Sequence, residues 1–270
     1  MHQHPQPPST RQLLMEFPRA GRDLMRLGAW GWQRVLKQAP QGDGHPVMTI
    51  PGFGGGDGSM ALLRRYLEKQ GYQSHPWGLG TNIIKRRMHH MDEILGFCAN
   101  MEMAIVEKAE KLVSQSGEKV SLIGWSLGGV YANVLAQTHP HLIRQVITLG
   151  SPVGDPRGTS TWDILKKLTG SSVPDEQQNV AGWVARKESV AERQVRTTIL
   201  YSLTDGAVSS GSAVIEGHDL VENIQVPSSH VGFAHNPVVY WVIADRLSQR
   251  EESWQPFSLS CSPKKIQKAF

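Results

Sequence analysis

The stretch Val120–Gln137, VSLIGWSLGGVYANVLAQ, constrains the fold of this chain more than any other. A β-branched apolar run leads into Gly124-Trp125-Ser126-Leu127-Gly128, after which Leu127, Val130, Tyr131, Val134 and Leu135 recur at helical spacing. The pattern predicts a strand, a sharp turn and a helix in immediate succession. In a G-x-S-x-G turn the serine takes a strained backbone conformation, and side chains two positions before and after it would collide with neighbouring elements, so both places need glycine. The serine hydroxyl is then held above the sheet edge. The N–H of Leu127, at the helix N-terminus, points toward any negative charge that develops there.

Around this turn, short apolar runs alternate with helical patterns. PVMTI precedes a helix through MALLRRYLEKQ; YQSHPW precedes a long helix from about Asp92 to Ser114; KVSLIGW and RQVITLG flank the helix after the turn. The alternation pauses between Ser151 and Arg196, then resumes with RTTILYS, ENIQVP and a closing helix from about Asn236 to Arg250. Strand–helix alternation of this kind predicts an α/β fold, with a mostly parallel sheet of about six strands covered by helices on both sides. Residues 1–40 read as a basic helical segment, with a helix from about Leu13 to Lys37 broken near Pro18. Residues 41–250 read as the main domain, with an inserted helical cap at about 152–195. Residues 251–270 read as an irregular, loosely held tail.

Composition removes other classes. The formal charge is +4, from 28 basic and 24 acidic residues, too weak and dispersed to argue for nucleic acid. In residues 1–40, Arg11, Arg19, Arg22, Arg26, Arg34 and Lys37 face only Glu16 and Asp23. No apolar run reaches the ~18 residues of a membrane span, and MHQHPQPPSTRQ lacks the apolar stretch of a signal peptide, so a cytoplasmic protein is expected. Cys98 and Cys261 have no redox or zinc spacing, and Cys98 falls on a helical stripe with Ile94, Phe97 and Met101, as a core residue would. No metal and no cofactor is implied. The glycines of IPGFGGGDGS miss the dinucleotide fingerprint in every frame, and Gly58-Ser59-Met60 stands where a phosphate loop needs Gly-Lys-Ser/Thr.

A serine hydroxyl becomes a useful nucleophile only when a histidine takes its proton and an acid orients that histidine. In a fold of this kind the acid and then the histidine follow the serine. Asp205, in LYSLTDGAVS, and His230, in VPSSHVGFAHNP, each follow an apolar strand, at the sheet edge where ligands bind. Asp155 in LGSPVGDP is an alternative acid, and His235 an alternative histidine. His218 and Asp219 are weaker candidates. The pairs His89-His90 and His139/His141 read as surface or helix-end residues.

The turn GWSLGG, with IPGFGG, HPWGLGTN, ITLGSPVGDP, YSLTDGAVS and SSHVGFAHNP, resembles the α/β-hydrolase superfamily, in particular bacterial lipase/esterase-like members. The resemblance runs from Pro46 to Arg250. It implies a serine hydrolase acting on carboxylic esters with acyl or lipid character, with Ser126, His230 and Asp205 as catalytic triad. The same residues serve an acyltransferase, and a silent lipid-binding member of the fold is a third possibility. The family's His-Gly-x-Gly loop corresponds to Pro51-Gly52-Phe53-Gly54, so the resemblance makes the N–H groups of Phe53 and Leu127 the oxyanion donors. Pro51 replaces a histidine that often braces that loop. The first strands of the full family sheet have no counterpart. Trp125, Trp162 and Trp183 are candidate substrate contacts, the last two in the cap. Arg19, Arg22 and Arg26 with nearby Trp30 and Trp32 give the N-terminal helix the makeup of a membrane-surface helix, although a helix packed on the body with solvated arginines is the plainer reading.

Overall fold

The computed structural model describes residues 5–85, 91–154 and 193–270. Six strands form one sheet: β1 (Pro46–Ile50), β2 (Gln73–Pro76), β3 (Val120–Trp125), β4 (Ile143–Leu149), β5 (Arg196–Tyr201) and β6 (Val221–Gln225). Their order is β2-β1-β3-β4-β5-β6, and every neighbouring pair is parallel. This is the mostly parallel six-stranded α/β sheet that the strand–helix alternation predicts.

Successive residues of each strand go to opposite faces, and both faces are covered. Met48, Leu122 and Val146 meet Cys98 and Ile105 of α5 (Met91–Ser116) and Tyr131 and Leu135 of α6 (Leu127–Thr138). Val47, Ile123 and Ile147, one residue away in each strand, meet the other layer. That layer holds Leu63 and Leu67 of α4 (Ala61–Lys69), Trp32 and Leu36 of α3 (Trp30–Leu36), and Val239 and Ile243 of α7 (Pro237–Leu247). Cys98 is therefore core, as its stripe predicts.

From β1 the chain goes to one side for β2, then crosses back to put β3 on the other. That reversal leaves a crevice beyond the carboxyl ends of β1 and β3, the place where open parallel sheets bind ligands. The loop after Ile50 and the turn after Trp125 both open into it.

Two expectations need correction. The N-terminal segment is three helices, α1 (Thr10–Leu14), α2 (Glu16–Gly28) and α3, broken at Met15 and Ala29 rather than at Pro18. Pro18 is the third residue of α2, where the backbone N–H has no intrahelical acceptor to lose, so proline does no harm. The tail after residue 250 is also better held than its composition predicts. Ile266, in the short helix α8 (Lys264–Gln267), is fully buried with Trp32, and the Lys265 ammonium lies 4.8 Å from the Trp32 ring. Trp254 stacks under the Arg196 guanidinium at 4.3 Å.

The proposed cap at 152–195, with Trp162 and Trp183, and the alternative acid Asp155 lie outside the described residues, apart from the cap's two ends. His89 and His90 lie outside them as well. Among the described residues no helix is long and apolar enough to cross a membrane.

Candidate active site

Ser126 has φ 53° and ψ −122°, and among the described residues no other non-glycine has positive φ. It sits between the last residue of β3 and the first of α6, and its N–H donates to Leu149 O at 2.9 Å. The flanking glycines are required by close approach. A Cβ on Gly128 would lie 2.2 Å from the Ile50 carbonyl oxygen, and one on Gly124 would lie 2.3 Å from Gly129 Cα. Sheet and helix thus meet too closely at this turn for any side chain.

The loop after β1 closes the other side of the crevice. A Cβ on Gly52 would come within 2.9 Å of Ser126 Cβ, so the loop backbone passes directly beside the serine. Asn82, fully buried, supplies the bracing that Pro51 cannot. Its side-chain amide donates to Pro51 O (2.9 Å), its carbonyl accepts from Gly54 N–H (2.7 Å), and its own N–H donates to Gly55 O (2.8 Å). Asn82 closes the quoted HPWGLGTN, but nothing in that motif assigns it this task. Among the described residues neither the Phe53 nor the Leu127 N–H is taken by another group.

Asp205 and His230 are brought together from the loops after β5 and β6: Oδ2 of Asp205 lies 2.9 Å from Nδ1 of His230. The other carboxylate oxygen accepts the N–H groups of Ala207 and Val208, each at 2.8 Å, which fixes the plane of the acid. Trp125, next to the serine, donates its indole N–H to the His230 carbonyl (2.9 Å), with the two rings 5.8 Å apart. The indole N–H of Trp125, a candidate substrate contact, thus holds the backbone of the histidine. Burial alone would lower the His230 pKa, but the Asp205 charge and hydrogen bond, with the Glu16 charge behind them, raise it above the ordinary value. The Ser126 hydroxyl makes no hydrogen bond among the described residues. Such contacts often tighten only when substrate arrives.

Sequence reasoning counted Glu16 and Asp23 merely as charge balance, yet both are buried against the loop that carries His230. Glu16 accepts N–H groups of Gly206, His230 and Val231, and Asp23 Oδ2 accepts from Asn236, the residue that caps α7. The available signal was their spacing: Glu16, Ala20, Asp23 and Leu27 share one helical face.

A second Ser-His-Asp set lies at the opposite, amino end of β1 and β3. His45 Nε2 is 2.8 Å from Ser121 Oγ, and its Nδ1 contacts the Asp43 carboxylate. Both His45 and Ser121 are fully buried, and Ser121 is ordinary extended strand with no turn to present its hydroxyl. This set ties the start of β1 to β3. Of the other candidates, His235 bonds the Ala20 carbonyl and its pKa is lowered by burial, while His218 accepts the Leu220 N–H. His139 meets Thr138 and the ring of His141. Among the described residues no cluster of three or more His, Cys, Asp or Glu could hold a metal.

The family model for the alpha/beta hydrolase fold matches residues 32–196. Among characterised proteins, the chain is 30% identical over 88 residues to the pimeloyl-[acyl-carrier protein] methyl ester esterase of Citrobacter koseri, and 34% identical over 89 residues to that of Yersinia enterocolitica. Each match covers 28% of this chain and 34% of the relative's own length. Among solved structures, the mature Bacillus licheniformis lipase BlEst2 superposes with a TM-score of 0.54 at 16% identity, over 78% of this chain and 95% of that one. At that identity the likeness is one of fold.

Proposed function

The chain belongs to the alpha/beta hydrolase fold family, and on that premise we propose that it is a serine hydrolase that cleaves carboxylic esters through an acyl-enzyme. The observation that carries this reading is the strained Ser126 at the carboxyl end of β3, next in sequence to Trp125, whose indole N–H bonds the backbone of His230 in an Asp205–His230 pair already hydrogen-bonded at 2.9 Å.

In this reading Ser126 Oγ attacks the ester carbonyl while His230 Nε2 takes its proton. Asp205 holds the Nδ1–H tautomer and stabilises the imidazolium. The carbonyl oxygen, now an anion, is received by the Phe53 and Leu127 N–H groups, each donor of this kind being worth about 2.7–4 kcal/mol in the transition state. Collapse expels the alcohol, which takes the proton from His230. Water, deprotonated by His230, then attacks the acyl-serine and releases the acid.

The esterase names of the partial relatives favour an ester over a peptide. The exposed apolar side chains Leu14, Phe17, Met25 and Trp30 of the N-terminal helices, each 72–78% exposed, favour an enzyme that meets its substrate at a lipid surface. Arg19, Arg22 and Arg26 flank them and would match anionic headgroups.

The test is turnover of p-nitrophenyl esters from acetyl to palmitoyl by the wild type, Ser126→Ala and Ser121→Ala. Loss of nitrophenolate release in Ser126→Ala alone is expected. Equal inactivity of wild type and Ser126→Ala across the series would remove the reading, and loss in Ser121→Ala alone would move the site to the amino end of β3.

A further inference from the structure

Catalysis by an Asp-His pair requires two loops to stay in register, and here the loops come from different strands. Asp205 follows β5 and His230 follows β6. Their mutual hydrogen bond is one tie between them. A second tie comes from outside the sheet.

We propose that Glu16, at the start of α2, is a positioning residue that clamps the acid-bearing and histidine-bearing loops together. This rests on the triad reading above. Glu16 is 3% exposed. Its Oε1 accepts both the Gly206 N–H (2.6 Å) and the His230 N–H (3.0 Å), and its Oε2 accepts the Val231 N–H (2.9 Å). One carboxylate therefore bridges the residue after Asp205 and the backbone of His230 itself. Only an ionised carboxylate suits three converging N–H donors, because it offers two oxygens and no hydrogen.

The rest of the segment is built to deliver that carboxylate. Gln12 Nε2 donates to Leu203 O and Arg19 donates to Thr204 O, each at 3.0 Å, so residues on both sides of Glu16 in sequence grip the acid loop. Seven residues on, Asp23 holds Asn236 and so fixes the far end of the histidine loop. Gly206 must lack a side chain, since a Cβ there would lie 2.6 Å from the Gln12 carbonyl oxygen. Glu16 precedes the stretch that matches the family model, which begins at residue 32.

Other charges face the same loops: Asp205 on the imidazole, Asp23 with Arg22 and Arg26 beside Gly232 and Asn236, Arg19 at Thr204, and His235 against α2. Of the groups that raise the His230 pKa, only Asp205 and Glu16 act on it directly. Removing the Glu16 charge while keeping its shape should therefore move the acid limb of the pH–rate profile to lower pH.

The experiment compares full-length wild type, Glu16→Gln and Glu16→Asp by kcat, KM and pH profile on the best p-nitrophenyl ester, and by NMR titration of the His230 imidazole. Glu16→Gln should lose about ten- to a hundredfold in kcat, the cost of a small misplacement of a catalytic group, with KM nearly unchanged because Glu16 touches no substrate. Its acid limb and the His230 titration should both shift down. Glu16→Asp keeps the charge but withdraws it by one methylene, so kcat should fall while the limb stays in place. Wild-type kcat in either variant, or an unmoved His230 titration in Glu16→Gln, overturns the clamp. An inactive wild type whose His230 titration still responds to Glu16→Gln would overturn the esterase reading and leave the clamp standing.

Discussion

Ser126 holds a backbone conformation that costs of order 1–3 kcal/mol, and the close contact of β3, α6 and the Ile50 carbonyl leaves it no other. Ser126→Gly should relieve that strain. The relief exceeds the ~0.5–1 kcal/mol that glycine's extra freedom in the unfolded chain costs, so the variant should be inactive yet melt at a higher temperature than wild type. A lower melting temperature would mean that the serine is not strained. At His230 the sign of the pH effect is set by its raised pKa. The neutral imidazole is the base, so activity should rise with pH through a value above the ordinary histidine range near 6.5. Asp205→Asn should cost about 10⁴ in kcat by leaving the wrong tautomer. An acid limb below 6.5 would contradict the charge arrangement around the ring. The residues of this pair were legible in the sequence because each follows an apolar strand. Glu16 and Asn82 were not: both act by hydrogen bonds to backbone segments distant in sequence, and the helical spacing of Glu16 with Ala20, Asp23 and Leu27 marks a buried face without naming what it holds.

The elements differ in how far they declare themselves. The strands could be read from short β-branched runs, and α6 from its apolar period, because burial on both faces of a parallel sheet leaves little latitude in residue type. The turn between them is fixed just as tightly: Gly128→Ala should fail to accumulate as soluble folded protein, since its Cβ would sit 2.2 Å from backbone and not from a movable side chain. Normal expression and melting of that variant would show the turn to be looser than drawn. The N-terminal helices were harder to read. The break at Met15 carries no proline or glycine signal and the one at Ala29 only the single Gly28 before it, and α2 turns two acids inward while leaving Phe17, Leu24 and Met25 outside. That inverts the usual amphipathic pattern, which is why the face toward the body was not evident. The tail misled because isolated residues hold it, Trp254 on Arg196 and Ile266 beside Trp32, and scattered contacts give no period.

Across the whole molecule the net charge of +4 is concentrated in the segment that also exposes the largest apolar side chains. Around α2, Arg19, Arg22 and Arg26 fall on one flank and Phe17 and Leu24 on the other, with Met25 between them, and the buried side rests on the loops that carry Asp205 and His230. A lipid surface docked there would lie on the segment that packs against the loops of Asp205 and His230. Binding to anionic vesicles is therefore expected, weakening by tenfold or more in the double variant Phe17→Ser/Trp30→Ser and falling with added salt. Unchanged binding in the double variant would remove this surface from the account. The proposed function rests on one serine, Ser126. The most direct measurement is intact and peptide mass spectrometry after reaction with a fluorophosphonate. The account predicts a single adduct on Ser126, absent in Ser126→Ala and formed far more slowly in His230→Ala. An adduct on Ser121, or ester hydrolysis that persists with Ser126 unmodified, would contradict it.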